Sequence, residues 1–227
     1  IGLGEAVRVL VRPRLGEEHK GPQQLRGDLR FERRCTCGEL AGDCPVWGPL
    51  LAWLPAHDDR PLAEKLNRLI EPLTATSPRW MVESFQADEQ LLEAQALGRP
   101  VRVIQLTRDV RSWVHSESRR GVERHGRGGT VGWRSMLRWW RINRRWEQRL
   151  NRSGCAVFRL GYEELALAPE QALRQLCAWL EVGFDPAMLQ PGLNSSSHIV
   201  SGNRMRFDPG QSQAIRYDAA WLSSPAL

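Results

Sequence analysis

Val101–Arg120 reads VRVIQLTRDVRSWVHSESRR, and the fold can be argued outward from it. Val101, Val103, Ile104 and Leu106 make a short run of residues that suit a half-buried pleated surface, which predicts a strand over Val101–Leu106. Asp109 carries a short acceptor side chain of the kind that caps helices, and the pattern beyond it predicts a helix running towards His125. Arg108 falls between the two, just past the strand. Open α/β sheets bind ligands outside the carboxyl ends of their strands. Ser116 comes eight residues later, about two turns on at 3.6 residues per turn. A guanidinium and a hydroxyl so spaced can share one face and grip one phosphate. The same spacing also suits a plain helix start, with Arg108 paired to a neighbouring carboxylate.

The segments on either side repeat the alternation. Cys155–Leu160 (CAVFRL) predicts a second strand, and Pro169 predicts the first turn of a helix ending near Val182–Gly183. Between the strands lie a flexible break, Gly126–Gly132, and an Arg/Trp-rich helix, Trp133–Arg152. Upstream, apolar residues at helical spacing predict a helix over Leu62–Leu73, WMVES predicts a short strand over Trp80–Ser84, and Ala87–Leu97 reads as a helix. The tail from Asp185 reads as irregular. Strands alternating with helices argue for an α/β fold with a parallel sheet flanked by helices. No repeat or linker divides the chain. It therefore reads as a single domain over 1–227, with residues 35–50 an irregular Cys-containing insert.

Composition narrows the class. The 227 residues are 41% hydrophobic and 26% charged, as in globular proteins. This excludes collagen, a coiled coil, a disordered tail and a disulfide mini-scaffold. No uncharged apolar run reaches the roughly 18 residues that span a membrane. All but two of the 32 basic residues are arginine, the exceptions being Lys20 and Lys65. Arginine suits bidentate recognition of phosphate, sulfate or carboxylate, and the net charge of +6 suggests an anionic partner. The odd count of five cysteines argues against a secreted disulfide framework, so a cytoplasmic location is expected. A first residue Ile1 rather than Met suggests a processed chain or a fragment.

Three further groups are read from the residues alone. Cys35-x-Cys37-x6-Cys44 lacks the usual C-x2-C knuckle and a clear fourth ligand, so buried thiols are expected there, with no metal. His57, His115, His125 and His198 sit in no triad context. In the Arg/Trp helix, Trp133, Leu137, Trp140 and Arg144 share one stripe, and Trp139, Asn143 and Trp146 another. Arg interleaved with Trp can also stack bases. Core packing under an Arg outer face is the simpler reading, so no nucleic-acid partner is expected.

The strand–R-D-x-R-x-x-x-x-S–helix pattern at Arg108–Ser116 resembles the 3′-phosphate-binding motif of sulfotransferases that use 3′-phosphoadenosine 5′-phosphosulfate (PAPS). Other segments resemble that family in order. GYEELALAPEQAL (161–173) is similar to its Y-E-[DE]-L-x-x-x-P segment, and HIVSGNRMRF (198–207) to its H-x-x-x-G-N-x-M-R element. CTCGELAGDCPVWG (35–48) resembles the C-x-C-G…C-P-[FW]-W segment of one bacterial branch. IGLGEAVRVLVRP (1–13) resembles the piece that follows the first helix. WMVESFQ (80–86) stands where bacterial members read V-D-S-S-K, with Phe85 and Gln86 replacing Ser and Lys.

The resemblance implies a P-loop-NTPase-like parallel sheet whose first strand and phosphate loop are missing from this chain. It implies that Arg108 and Ser116 hold the 3′-phosphate and Tyr162 supports adenine. Asn203 and Arg206 would close over the nucleotide, and Glu5 would be the general base. The implied reaction is sulfuryl transfer from PAPS to a hydroxyl or amine on a small-molecule, carbohydrate, lipid or protein acceptor, without a metal. The alternative is a catalytically inactive sulfotransferase-like protein that binds a nucleotide or a partner.

Overall fold

The computed structural model describes residues 34–53, 56, 57, 60, 64, 67, 68, 71, 80, 82, 100–125, 132–190, 198, 199 and 215–223, with 120–125 described by backbone alone. The chain forms two compact units. One comprises Ile1–Pro100 with Ser195–Gln211, the other Val101–Asn194 with Ser212–Leu227.

In the first unit, an isolated antiparallel bridge pairs Arg34 with Leu40 around a tight turn. Gly38 takes φ +100° in that turn, a conformation that costs a glycine little and a side-chain residue much. Helix α1 follows at Trp47–Trp53, with Trp47, Leu50 and Leu51 buried beside Ala41 and Val46. Gly48 has no room for a side chain, because a Cβ there would collide with the carbonyl oxygen of Gly42. Glu64, Asn67, Arg68 and Glu71 are helical, as the apolar spacing over Leu62–Leu73 predicts. Trp80 and Val82 are not in a strand, contrary to the reading of WMVES. Val82 is 68% exposed, so its β-branched side chain gains no packed face from pairing. The predicted helix Ala87–Leu97 lies outside the described residues.

The second unit is a parallel strand–helix–strand arrangement. Strands β1 (Arg102–Thr107) and β2 (Ala156–Gly161) run parallel, with Arg102 opposite Ala156 and Thr107 opposite Gly161. Parallel strands need a long crossover. It is supplied by helix α2 (Val110–His125) and helix α3 (Gly132–Ser153), which pack on each other. Both strands sit one residue later than the sequence predicts. Helix α4 (Tyr162–Leu167) leaves β2 directly, and helix α5 (Pro169–Leu180) follows with Pro169 at its first turn. The buried positions include Ser112 and Val114 of α2, Ser135 and Leu150 of α3, Leu160, Ala166, Ala172, Cys177 and Trp221. Trp221 lies in a short 3-10 helix, Ala220–Ser223, that packs on α2.

Two local readings need correction. Helix α5 closes on Glu181, at φ 60°, rather than near Gly183. The strand β1 side chain of Arg102 explains the choice. It donates to the carbonyl of Trp179 and to Glu181 Oε1, the latter at 2.6 Å, so a carboxylate is useful where a glycine would otherwise be. In α3 the core stripe is Trp139, Asn143 and Trp146, each partly covered, whereas Trp133 and Trp140 are 59% and 48% exposed. Their rings are covered instead by guanidinium groups, Arg134 over Trp133 and Arg144 over Trp140.

Candidate functional site

Arg108 stands one residue past β1 and two before α2, where the strand and helix ends meet. Four contacts place it. Its Nε donates to Ser112 Oγ at 2.5 Å, and Ser112 is fully buried. Its Nη2 donates to Asp218 Oδ2 at 3.0 Å. Its guanidinium carbon lies 5.0 Å from the centre of the Tyr162 ring. Its carbonyl accepts from Trp139 Nε1 at 3.0 Å. Arg108 is thus fixed by three separate elements besides its own loop.

The surroundings are equally ordered. Asp109 Oδ1 accepts the Arg111 backbone N–H at 2.7 Å, which is the capping role read from the sequence. The hydrogen bonds of the Arg111 side chain hold the Asp109 carboxyl below the usual carboxylate range. Glu163 Oε1 accepts the Asp109 backbone N–H at 3.1 Å, tying the start of α4 to the start of α2. The Tyr162 hydroxyl donates to the Arg216 carbonyl and accepts from the Asp218 N–H, both at 3.1 Å. The Asp218 carboxyl is also held low, first by the Ala220 N–H and then by Arg108.

Arg108 and Tyr162, both read from the sequence, therefore meet beyond the carboxyl ends of the two strands. Ser116 lies on the same face of α2 as Ser112, one turn further along, and is partly covered. The hydroxyl that touches Arg108 here is Ser112. Glu5, Asn203 and Arg206 lie outside the described residues. Asp218, Ser112 and Trp139 are site residues that sequence reasoning missed. Only the i,i+4 spacing of Ser112 from Arg108 was available as a signal.

An open cleft of about 620 Å³ lies against the same sheet. Gln105, Thr107, Arg159 and Gly161 line it from the strands, and Trp139, Trp140, Asn143, Arg144 and Glu147 from α3. The Arg/Trp helix thus forms one wall of a cavity with both apolar rings and charges.

This arrangement has a structural counterpart. The sulfotransferase domain from the curacin biosynthetic pathway is similar, with a TM-score of 0.51 and 25% sequence identity. The similarity covers 73% of this chain and 58% of that domain, so the match spans little more than half of the domain's length. The fold is sulfotransferase-like. No protein-family model matches the chain, and no curated protein matches it. Among the described residues, no helix of this sulfotransferase-like fold is long and apolar enough to cross a membrane.

The first unit of the sulfotransferase-like chain holds a second constellation. Cys35, Cys37, Cys44 and His198 each direct one ligand-type atom into a space where all four atoms lie within 4.8 Å of one another. Cys44 Sγ is 3.7 Å from Cys35 Sγ, 3.8 Å from Cys37 Sγ and 3.2 Å from His198 Nδ1, and Cys35 Sγ is 4.0 Å from that nitrogen. The backbone builds this meeting from both sides. Cys35 N–H donates to Glu39 O and Gly38 N–H to Cys35 O, which closes the turn that sets Cys35 beside Cys37. The Trp47 indole donates to the His198 carbonyl at 2.9 Å, and Thr36 exchanges two hydrogen bonds with Ile199. Burial pushes the Cys35 thiol up to about 12 and raises that of Cys44. Burial pushes Cys37 up as well, but the Glu39 backbone and the neighbouring thiols leave it lowered.

The sequence reading of these cysteines as buried thiols holds for Cys35 and Cys44, while Cys37 is exposed. The fourth group that the local spacing lacks is His198, 154 positions beyond Cys44. No sequence signal joins it to the cysteines, because the pairing is made by Trp47 and Thr36 through the main chain.

Proposed function

We propose that this chain is the part of a sulfotransferase that holds the nucleotide of PAPS, and that the whole protein moves a sulfuryl group to a hydroxyl or amine. One observation carries the reading: Arg108 and Tyr162 meet just beyond the carboxyl ends of parallel strands in a sulfotransferase-like fold. A guanidinium beside an aromatic ring suits a nucleotide carrying an extra phosphate. The charge takes the phosphate and the ring supports the base. PAPS supplies the activated sulfuryl group. Arg108 and Ser116 orient its 3′-phosphate, and Tyr162 supports adenine. Asn203 and Arg206 close over the nucleotide, and Glu5 takes the acceptor's proton. Asp218 keeps the guanidinium aimed until the phosphate replaces it. The cleft walled by α3 receives the acceptor, which is a small molecule, carbohydrate, lipid or protein.

The test is calorimetric titration with adenosine 3′,5′-bisphosphate (PAP), the product nucleotide. Loss of a charge-assisted contact of this kind costs about 1.5–3 kcal/mol per hydrogen bond. Arg108→Ala should weaken PAP binding by about 100-fold or more while circular dichroism stays unchanged. Equal PAP affinity in a folded Arg108→Ala variant would overturn the assignment.

A further inference from the structure

We propose that Cys35, Cys37, Cys44 and His198 form a tetrahedral structural zinc site. The donor set is three sulfurs and one imidazole nitrogen, a combination typical of structural zinc. Four of the six donor–donor distances lie near the edges of such a tetrahedron, and all six are within 4.8 Å. With Zn–S near 2.3 Å and Zn–N near 2.0–2.1 Å, a regular tetrahedron has S···S edges of about 3.8 Å and S···N edges of about 3.6 Å. The sulfurs here stand 3.7 and 3.8 Å apart. The two S···N distances, 3.2 and 4.0 Å, bracket the ideal edge. A disulfide requires sulfurs about 2.05 Å apart, well inside these separations, and would leave one thiol and the imidazole without a partner.

The site belongs to the closed class. Four protein groups fill a tetrahedron, so no position remains for water or substrate. Its surroundings are those of a fixed structural centre. Trp47, itself fully buried, holds the His198 main chain, and Thr36, between two of the cysteines, holds Ile199. Such outer partners orient metal ligands and sustain affinity. The zinc then fastens the Cys35–Cys44 turn to the chain at His198. The zinc proposal does not rest on the sulfotransferase reading, and neither depends on the other.

The experiment is elemental analysis of the full chain, purified without chelators from zinc-replete cells, combined with alkylation mapping of each cysteine by mass spectrometry. About one zinc per chain is expected. Exposed Cys37 should resist alkylation until a strong chelator is added, because burial does not protect it. Cys44→Ser and His198→Ala should lose the metal, whereas His198→Cys, which keeps a four-donor set, and Cys155→Ser should retain it. If the losing variants fail to fold, the wild-type chain still decides. Cobalt substitution should give an intense sulfur-to-cobalt charge-transfer band. A metal-free or iron-loaded wild-type protein would overturn the proposal. So would a Cys37 that alkylates equally fast with and without chelator.

Discussion

The Arg108 cradle and the cysteine cluster are assembled in opposite ways. At Arg108, strand, capping aspartate and helix follow one another within some twenty residues, and local spacing alone sets a cation at the strand's end. At the cluster, three donors arrive in ten residues, and the fourth comes from 154 positions beyond Cys44. The difference teaches where local reading is strong. A binding group placed by strand–helix geometry is visible in one dimension. A group placed by a main-chain hydrogen bond from a buried tryptophan is not.

That contrast can be broken most sharply at Trp47. Phenylalanine there keeps an aromatic ring but removes the indole donor to His198. Removing an outer partner typically weakens metal binding by about 10–100-fold. Trp47→Phe should therefore release zinc to a chromophoric chelator at a correspondingly lower chelator concentration. An unchanged affinity would mean that His198 is placed without this bond.

The cradle is sharpened by comparing its two serines. Ser112 is fully buried on Arg108, so Ser112→Ala should lower stability by about 1 kcal/mol, read from urea midpoints. Ser116→Ala should leave those midpoints alone and weaken PAP binding by about tenfold, the value of one good hydrogen bond to a charged group. The reverse pattern would make Ser112 the phosphate ligand and remove Ser116 from the site.

The smallest effect belongs to Asp218. Its carboxylate is about half exposed, and such pairs contribute at most about 1 kcal/mol. Asp218→Asn should tighten PAP binding by about two- to fivefold, since the nucleotide no longer displaces a negative charge. A pH series checks the same contact. Asp218 and Asp109 are both depressed in the folded state. Their stabilisation is therefore complete above about pH 4 and is lost as pH falls through the depressed values. Thermal midpoints taken from pH 6 down to pH 3 should fall less steeply in Asp218→Asn than in the wild type.

Much of the second unit was legible because its elements obey local rules. Val103, Ile104 and Leu106 announce β1, Asp109 caps α2, and Pro169 opens α5 at the first helical position. The boundaries slipped where a long-range contact overrode the local signal. Glu181 ends α5 because Arg102, 79 positions earlier, rewards a carboxylate there. Trp133 and Trp140 stay largely exposed on α3, each with a guanidinium over its ring, so their helical stripe does not mark the core. Of the six residues proposed for the nucleotide and base roles, Arg108 and Tyr162 are in direct contact and Ser116 lies on the adjoining helix face. His198 stands in no triad context in the sequence, and nothing there ties it to the cysteines, because its partners are Trp47, Cys35 and Cys44 rather than its neighbours in sequence.

The Arg108 guanidinium has one partner sealed from water and one open to it: Ser112 is inaccessible, while the Asp218 side chain is 48% exposed. Exchange at this cation is therefore one-sided. On the proposed nucleotide role, an arriving phosphate would take over the solvent-facing contact while the buried contact to Ser112 stays. The resident carboxylate also acts as a threshold. A monovalent anion merely trades like for like, whereas a phosphate dianion brings surplus charge. In that proposed role, a cation occupied in this way favours a dianion over a monovalent visitor.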